Sequence, residues 1–267
     1  MPESNLFVSA INTEEHKLSC FNNYLLAPED VLIYTLHLPE YIELTKELIH
    51  FLNADELERA NRYYRKKDRN QFIICRSILK IVLAAYTKTE VKNITLDYHF
   101  NKKPYLGSHP WLHFNVSHSE DLAVIAISRC KLGIDVEFVS KDFDYLPLLP
   151  EVFTENEILF VQEAENKEYA FYCLWTRKEA FVKAIGKGIN DDFKIVPALH
   201  GQHSLVSIEA YSNQNWYIYG FELAECYLAA VAFESLPTDS KNIKVCTLPK
   251  TVEDLLELTK STDTKSQ

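Results

Sequence analysis

The chain has 267 residues, of which 47% are hydrophobic and 12% are aromatic. This excludes a disordered or peptide-sized protein, because a chain of this length can bury one substantial core or two smaller ones. Charged residues make up 25%, and apolar runs such as residues 81–86 are far shorter than the roughly 20 residues of a membrane span. The N-terminus shows no pattern typical of a cleaved signal. The sequence therefore predicts a soluble, cytoplasmic protein with no membrane partner.

Cysteine spacing and net charge exclude further classes of protein. The six cysteines include no C-x-x-C pair and have no histidine at zinc-ligand spacing, which argues against a disulfide framework and a structural zinc site. The net charge of -10 disfavours a generic nucleic-acid binder, because the field of the whole molecule repels phosphate. A basic segment in such a chain is therefore informative.

Residues 59–80 form such a segment, with eight Lys and Arg side chains against one acidic residue. Asn53 followed three residues later by Glu56 is typical of a helix start. Residues 53–86 contain no Gly or Pro, so they are predicted to form one helix, or two helices joined near Lys67. Helical spacing assigns the following residues to a core-facing side: Phe72, Ile73, Cys75 or Arg76, Leu79, Val82, Leu83 and Tyr86.

Strands and helices then alternate along the chain. Strand-like runs occupy residues 94–100, 111–116, 122–128 and 132–139. A helical region at about residues 155–186, broken near Asn166, precedes strand candidates at residues 204–210, 215–223 and 226–234. This order predicts an α+β fold of two similar halves. We expect an N-terminal half at residues 1–139, a C-terminal half at residues 140–236, and an extension at residues 237–267 whose end is mobile.

The first candidate site is a pair of carboxylates. Asp135 and Glu137 lie two residues apart in a predicted strand, so they face the same side. The two charges repel each other, and a bound divalent cation removes that repulsion. Mg²⁺ is the natural candidate, because it takes hard oxygen ligands and commonly joins carboxylates to substrate phosphates. The alternative is a solvent-facing strand edge.

The second candidate site is the helix segment Trp175–Lys183. It places Glu179 and Lys183 one turn apart, beside an apolar stripe. The alternative is purely structural: an aromatic core anchor, a surface ion pair, and Gly186 as the residue that ends the helix.

Two shorter patterns offer groups that suit a phosphate. Ser117 and His118 follow an apolar strand and present a hydroxyl and an imidazole; the alternative is a pair of turn-forming residues. Lys103, before Pro104, is either a phosphate clamp or part of an exposed basic turn.

In this order and spacing, the segments resemble the phosphopantetheinyl transferase family, specifically its surfactin-synthetase-activating, double-length type. The resemblance extends over residues 59–188, and its ordered set of motifs is highly specific. The matching motifs are K-P at 103–104, F-N-V-S-H-S at 114–119, G-I-D-V-E at 133–137, F-T-x-x-E at 153–157 and W-x-x-K-E-A-x-x-K at 175–183. It implies a pseudo-twofold pair of similar α/β subdomains in one chain, a monomer, with coenzyme A bound in the cleft between them.

The resemblance also implies roles for individual residues. Asp135, Glu137 and Glu179 are the implied Mg²⁺ ligands, with Mn²⁺ as an alternative ion. Glu179 is the implied general base, and Lys183 neutralises or protonates the leaving phosphate. The implied contacts to coenzyme A are Arg59, Arg62, Lys103, Ser117, His118 and Lys178.

The implied reaction transfers the phosphopantetheine arm of coenzyme A to a serine hydroxyl of an acyl or peptidyl carrier protein and releases 3′,5′-ADP. The chain departs from its relatives in the nucleotide-binding part. Glu56 stands where relatives tend to have Lys, and Gln71-Phe72 where they often have Arg and a small polar residue. Arg62, Arg69 and Lys66 are candidates to compensate.

Two other classes satisfy part of the pattern. A Mg²⁺-dependent nuclease or phosphodiesterase also needs clustered carboxylates and a lysine, but the acidic chain offers a poor track for nucleic acid. A module that binds coenzyme A or RNA through the basic helix alone leaves the three carboxylates without a purpose.

Overall fold

The computed structural model describes residues 4–18, 25–188, 192–205, 215–235 and 242–260. The strands are β1 (Asn5–Ala10), β2 (Lys17–Leu18), β3 (Val31–His37), β4 (Asp97–Tyr98), β5 (Pro104–Tyr105), β6 (His113–Ser119), β7 (Leu122–Ser128), β8 (Leu132–Phe138), β9 (Gly201–Ser204), β10 (Asn215–Ala224), β11 (Tyr227–Ser235) and β12 (Ile243–Thr247). The α-helices are α1 (Thr45–Leu48), α2 (Ala54–Asn61), α3 (Lys66–Thr87), α4 (Leu149–Val152), α5 (Glu155–Glu163), α6 (Lys167–Ile185) and α7 (Val252–Glu257). The predicted α+β fold class is confirmed.

The basic segment forms two helices. Asn53 caps α2 by accepting a hydrogen bond from the Glu56 backbone N–H at 2.9 Å, and the Glu56 carboxylate accepts one from the Asn53 N–H. α3 begins after Arg65, so of the two alternatives left open by the sequence, the chain forms two helices joined near Lys67. The predicted break near Asn166 is also confirmed, because that side chain caps the start of α6.

The strands form two five-stranded sheets. The first has the order β2-β12-β3-β7-β6 and the second has the order β8-β11-β10-β1-β9. In the first sheet every residue of β7 is buried, as expected for a central strand covered on both faces. Side chains connect the two sheets where β6 runs beside β8: Asn115 Oδ1 accepts a hydrogen bond from Ile134 N–H at 2.8 Å.

The two sheets do not follow the expected division of the chain at residue 139. β1 pairs in parallel with β10, and β8 pairs with β11, so both strands belong to the second sheet. β12, from the expected C-terminal extension, pairs in parallel with β3 of the first sheet. Each sheet is therefore assembled from distant parts of the chain, because parallel neighbours need a long connection.

Three buried clusters hold this arrangement together. One packs α3 against the first sheet, and another packs α6 against the second sheet. The third cluster lies between the sheets and includes Ile33, Val124, Ile134 and Val231. The long helices thus lie on the outer faces of a sheet pair, and α6 runs beside β8.

The prediction did not include β1, β2, β3, β5 or β12. The predicted strand at residues 204–210 falls mostly outside the described residues, as does the expected mobile end at residues 261–267. None of the helices in the described ranges has the length and apolar character needed to cross a bilayer.

Candidate active site

Strand β8 carries the first carboxylate into the space between β6 and α6. Asp135 is 2% exposed, and its Oδ1 accepts hydrogen bonds from Ser117 Oγ at 2.9 Å and from Lys183 Nζ at 2.6 Å. Its Oδ2 is buried and has no hydrogen-bond partner among the described residues. A buried carboxylate oxygen without a partner is costly, so this atom marks a position suited to a cation or another donor.

Glu137 extends the same face of β8. Its Oε2 accepts a hydrogen bond from Ser119 Oγ at 2.9 Å. Burial and the neighbouring Asp135 raise the pKa of Glu137, and hydrogen bonding to Ser119 and Trp175 acts in the opposite direction. Ser117 and Ser119 on β6 thus face Asp135 and Glu137 on β8, because the side chains of both strands alternate with a period of two.

Helix α6 supplies the third carboxylate and a lysine. Burial, together with the charges of Asp135 and Glu137, raises the pKa of Glu179 to about 7, and Lys183 acts against this shift. Lys183 Nζ also donates a hydrogen bond to Ser117 Oγ at 2.9 Å. These side chains surround a cavity of about 300 Å³, the carboxylate cavity, lined by Val116, Ser117, His118, Asp135, Glu137, Glu179 and Lys183.

A glycine on β8 brings α6 this close. A Cβ atom at Gly133 would lie 2.2 Å from Ala180 O and 2.2 Å from Ala184 N. Only the absence of a side chain permits this approach of helix backbone to strand. Gly133 therefore helps to set the spacing between β8 and the side chains that α6 directs into the carboxylate cavity.

The carboxylates suit a hard divalent cation. Within the described ranges, no group of three or more His, Cys, Asp or Glu side chains is already arranged as a metal site. Burial first, and then the charge of Asp135, raises the pKa values of Glu137 and Glu179. A divalent cation would offset both effects and would give the buried Asp135 Oδ2 a partner. Asp135, Glu137 and Glu179 are the residues that could hold it.

A second cavity of about 310 Å³ adjoins the first, and we name it the arginine cavity. Its lining residues are Arg59, Tyr63, Asp68, Gln71, Phe72, Cys75, Arg76, Leu79, Pro104, Val116 and His118. His118 and Val116 line both cavities. Burial and nearby Lys183 lower the pKa of His118. The structure thus brings Arg59, Ser117 and His118, three of the predicted coenzyme contacts, to the two cavities.

Lys178, a predicted contact of coenzyme A, lines neither cavity. Its side chain is fully buried, and Nζ lies 2.9 Å from Glu157 Oε2. Nζ also donates hydrogen bonds to the backbone oxygens of Lys194 and Val196, both at 2.7 Å. Adjacent helix residues point about 100° apart, so Lys178 turns into the core where Glu179 faces the carboxylate cavity.

Lys103 and Arg62 are also placed away from the carboxylate cavity. Lys103 Nζ donates hydrogen bonds to Leu132 O at 3.0 Å and Ala184 O at 2.9 Å, and it lines a separate cavity of about 660 Å³. Burial and the charge of Lys131 lower its pKa to about 8. Arg62 is exposed at the end of α2 and lines neither the carboxylate nor the arginine cavity. The structure thus brings neither of these two predicted coenzyme contacts to the carboxylate or the arginine cavity.

Three residues at these cavities were missing from the predicted site. Ser119 and Trp175 contact Glu137, and Arg76 lines the arginine cavity. The two-residue spacing of Ser117 and Ser119 matches that of the carboxylates and is a signal for Ser119. Helical spacing assigned Arg76 to the core and gave no sign of its cavity.

Most of the chain is similar in sequence to known proteins. The family model for the 4'-phosphopantetheinyl transferase superfamily matches residues 131–232, and the model for the N-terminal part of 4'-phosphopantetheinyl transferase matches residues 39–130. The 4'-phosphopantetheinyl transferase HetI of Nostoc sp. is 35% identical over 173 residues, which cover 62% of this chain and 73% of that protein.

Two further relatives are more distant in sequence. The 4'-phosphopantetheinyl transferase Sfp of Bacillus subtilis is 28% identical over 74% of this chain and 89% of its own length. The L-aminoadipate-semialdehyde dehydrogenase-phosphopantetheinyl transferase of Xenopus laevis is 28% identical over 52% of this chain and 50% of its own length. The resemblance found in the ordered motifs is confirmed, and the chain belongs to the 4'-phosphopantetheinyl transferase family of enzymes.

Proposed function

We propose that this enzyme transfers the 4'-phosphopantetheine arm of coenzyme A to a serine hydroxyl of an acyl or peptidyl carrier protein, in a Mg²⁺-dependent reaction that releases 3′,5′-ADP. One observation carries the proposal. A cavity lined by Asp135, Glu137, Glu179 and Lys183 adjoins a cavity lined by arginines. The first suits a diphosphate with its metal ion, and the second suits the nucleotide end of the same molecule.

Asp135, Glu137 and Glu179 are the residues that would hold Mg²⁺. When bound, the ion would neutralise charge on the diphosphate oxygens, which lowers the barrier to attack at phosphorus. The unpartnered Oδ2 of buried Asp135 supports this assignment, because a carboxylate oxygen in that position needs a positively charged partner or a donor.

The remaining steps belong to protein side chains. In the reaction the serine oxygen of the carrier forms a bond to the β-phosphorus, and the bond between that phosphorus and the bridging oxygen breaks. Glu179 is the proposed acceptor of the serine proton, because its carboxylate lines the carboxylate cavity beside Asp135 and Lys183. Lys183, one turn further along α6, would neutralise or protonate the departing 3′,5′-ADP phosphate.

The surface beside the arginine cavity fits an acidic carrier protein. Arg62, Arg65, Lys66 and Lys67 are exposed between the end of α2 and the start of α3. A basic surface of this kind attracts an acidic partner and accelerates its association. We further infer a monomer, because one chain lines both cavities, and we place it in the cytoplasm.

Intact mass spectrometry of a carrier protein tests the proposal. Apo acyl and peptidyl carrier proteins are each incubated with the enzyme, coenzyme A and Mg²⁺. We expect a mass gain of one phosphopantetheine arm, which EDTA abolishes and added Mg²⁺ restores. No gain on any carrier by a folded enzyme would reject the proposal.

Glu179→Gln tests the assigned base in the same assay. We expect near-complete loss of turnover with binding of coenzyme A at least partly retained, because the change removes the base and one anionic ligand. Glu165→Gln, at an exposed position before α6, is the matched control and should transfer the arm normally. Robust transfer by Glu179→Gln would show that another group accepts the proton.

A further inference from the structure

An aromatic ring with two guanidinium groups against it forms one wall of the arginine cavity. The Arg59 Cζ lies 5.0 Å from the centroid of the Phe72 ring, and the Arg76 Cζ lies 5.6 Å from the same centroid. Tyr63 packs on Phe72 with a centroid distance of 5.6 Å. Stacking of this kind fixes the plane of a guanidinium while its N–H groups remain available for an anion.

Arg76 is held in place by a buried network. Its Nη1 donates hydrogen bonds to Glu56 Oε1 at 3.3 Å and to Tyr98 Oη at 3.1 Å. The other oxygen of Glu56 accepts from Lys80 Nζ at 3.2 Å and from Asn53 N–H at 3.0 Å. One carboxylate therefore faces two buried cations, and the network retains a net positive charge next to the cavity.

The cavity itself is also positively charged. Arg59 and Arg76 line it, and Asp68 is the acidic residue in the same lining. Arg69 and Lys66 were candidates to compensate for the Lys and Arg that relatives have in the nucleotide-binding part. Arg69 donates a hydrogen bond to Asn61 at 3.2 Å. Neither Arg69 nor Lys66 belongs to the cavity lining. Arg76, which helical spacing assigned to the core, lines the arginine cavity together with Arg59.

His118 lines both the arginine cavity and the carboxylate cavity, so it marks where the two adjoin. A coenzyme A molecule with its diphosphate in the carboxylate cavity would pass His118 and bring its ribose and adenine into the arginine cavity. The ribose carries a further phosphate, on its 3′ oxygen. A planar guanidinium can bind two phosphate oxygens at once, and an aromatic ring can stack on a base.

We infer that Arg76, positioned by Glu56, binds the 3′-phosphate and makes the enzyme select coenzyme A over 3′-dephospho-coenzyme A. The inference rests on the proposed function. Glu56 is then a positioning residue that orients Arg76 and does not contact the substrate. At the position where relatives tend to have Lys, this chain has Glu56, which holds Arg76 of the next helix by a hydrogen bond.

Calorimetric binding of two nucleotides to the full chain tests the inference without turnover. The probes are 3′,5′-ADP and AMP, which differ only in the 3′-phosphate. For Arg76→Gln we expect about 10- to 100-fold weaker binding of 3′,5′-ADP and unchanged binding of AMP, since charge-assisted hydrogen bonds of this kind contribute that much. Arg129→Gln is the matched control, because Arg129 also stacks on an aromatic ring, Trp111, but lines neither cavity.

Two further variants separate a specific role from a general loss of structure. Arg76→Lys retains the charge but loses the planar fork, so its preference for 3′,5′-ADP over AMP should fall between the wild type and Arg76→Gln. Glu56→Gln should reduce the same preference about 3- to 10-fold while Arg76 is still present. If Arg76→Gln does not fold, the ratio of 3′,5′-ADP to AMP affinity in Arg76→Lys decides whether Arg76 binds the 3′-phosphate.

Steady-state kinetics give the second readout. Arg76→Gln should raise the KM for coenzyme A about 10- to 100-fold, with the KM for 3′-dephospho-coenzyme A and both kcat values nearly unchanged. Equal losses with both forms, or no loss with either, would overturn the inference. If the wild type transfers an arm from neither form, the proposed function fails, and the ratio of 3′,5′-ADP to AMP affinity still decides the role of Arg76.

Discussion

Lys183 Nζ lies 2.6 Å from Asp135 Oδ1 and joins helix α6 to strand β8 across the carboxylate cavity. The second oxygen of Asp135 has no hydrogen-bond partner among the described residues, although it is buried. Asp135 therefore binds a protein cation through one oxygen and presents the other to the cavity. This division of the carboxylate suits the proposed metal site.

Asp135→Asn should lower kcat about 100-fold or more and raise the Mg²⁺ concentration needed for half-maximal activity. The change removes one negative charge from a proposed ligand set of three and weakens the contact with Lys183. The measurement is carrier modification against Mg²⁺ concentration. Asp142→Asn, at an exposed position after β8, is the control. An Asp135→Asn enzyme with unchanged Mg²⁺ dependence would contradict the metal assignment.

Gly133→Ala should destabilise the fold by about 1–3 kcal/mol, the usual cost of forcing atoms into a packed contact. The new methyl group would meet the backbone of α6 at 2.2 Å, so the helix must move away from β8. Because Lys183 and Glu179 lie on that helix, kcat should fall as well. Denaturant unfolding and single-turnover assays measure the two effects.

The control for this change is Gly107→Ala. A methyl group there would meet the end of the Asp97 side chain, which can rotate away at little cost. Wild-type stability and kcat in Gly133→Ala would show that the close approach of α6 to β8 is not needed.

Lys178→Met should reduce stability and leave the KM for coenzyme A unchanged. Lys178 is fully buried against Glu157, and removing one partner of a buried ion pair costs about 3–5 kcal/mol. Urea unfolding measures the loss. Lys167→Met, exposed at the start of the same helix, is the control. A stable Lys178→Met enzyme with a raised KM for coenzyme A would show that Lys178 contributes to binding of the coenzyme.

Lys103 should make stability depend on pH above neutrality. Burial lowers its pKa to about 8 in the folded chain, whereas the unfolded value is near 10.4. Between these values the unfolded chain binds more protons than the folded chain, so Lys103 favours folding increasingly as pH rises. The neutral amine has two N–H groups, which match its two backbone acceptors on Leu132 and Ala184.

Relative to the wild type, Lys103→Met should therefore lose stability as pH rises, on the order of 1–2 kcal/mol between pH 7 and pH 9.5. Urea unfolding across this window measures it. Lys102→Met, at the exposed neighbouring position, should show no such trend. A deficit that shrinks as pH rises would show that the charged form of Lys103 is the stabilising one.

Much of the local structure was predictable because its causes are local. The cap at Asn53 and the break at Asn166 depend on side chains that bond to nearby backbone. β7 occupies the residues predicted for it, 122–128, because a continuous apolar run between polar turns indicates a buried strand. The same period of two placed Asp135 and Glu137 on one face.

The sequence by itself determined the ordered motifs, the long helices and most of the central strands, since these follow from periodicity and capping within a few residues. Only the tertiary structure decided the sheet order, because the parallel pairing of β1 with β10 joins residues about 210 positions apart. The tertiary structure also decided where the charged groups of long cationic side chains lie. Lys178 and Arg76 both occupy helices with apolar stripes, and packing turned the first toward Glu157 in the core and the second toward a cavity.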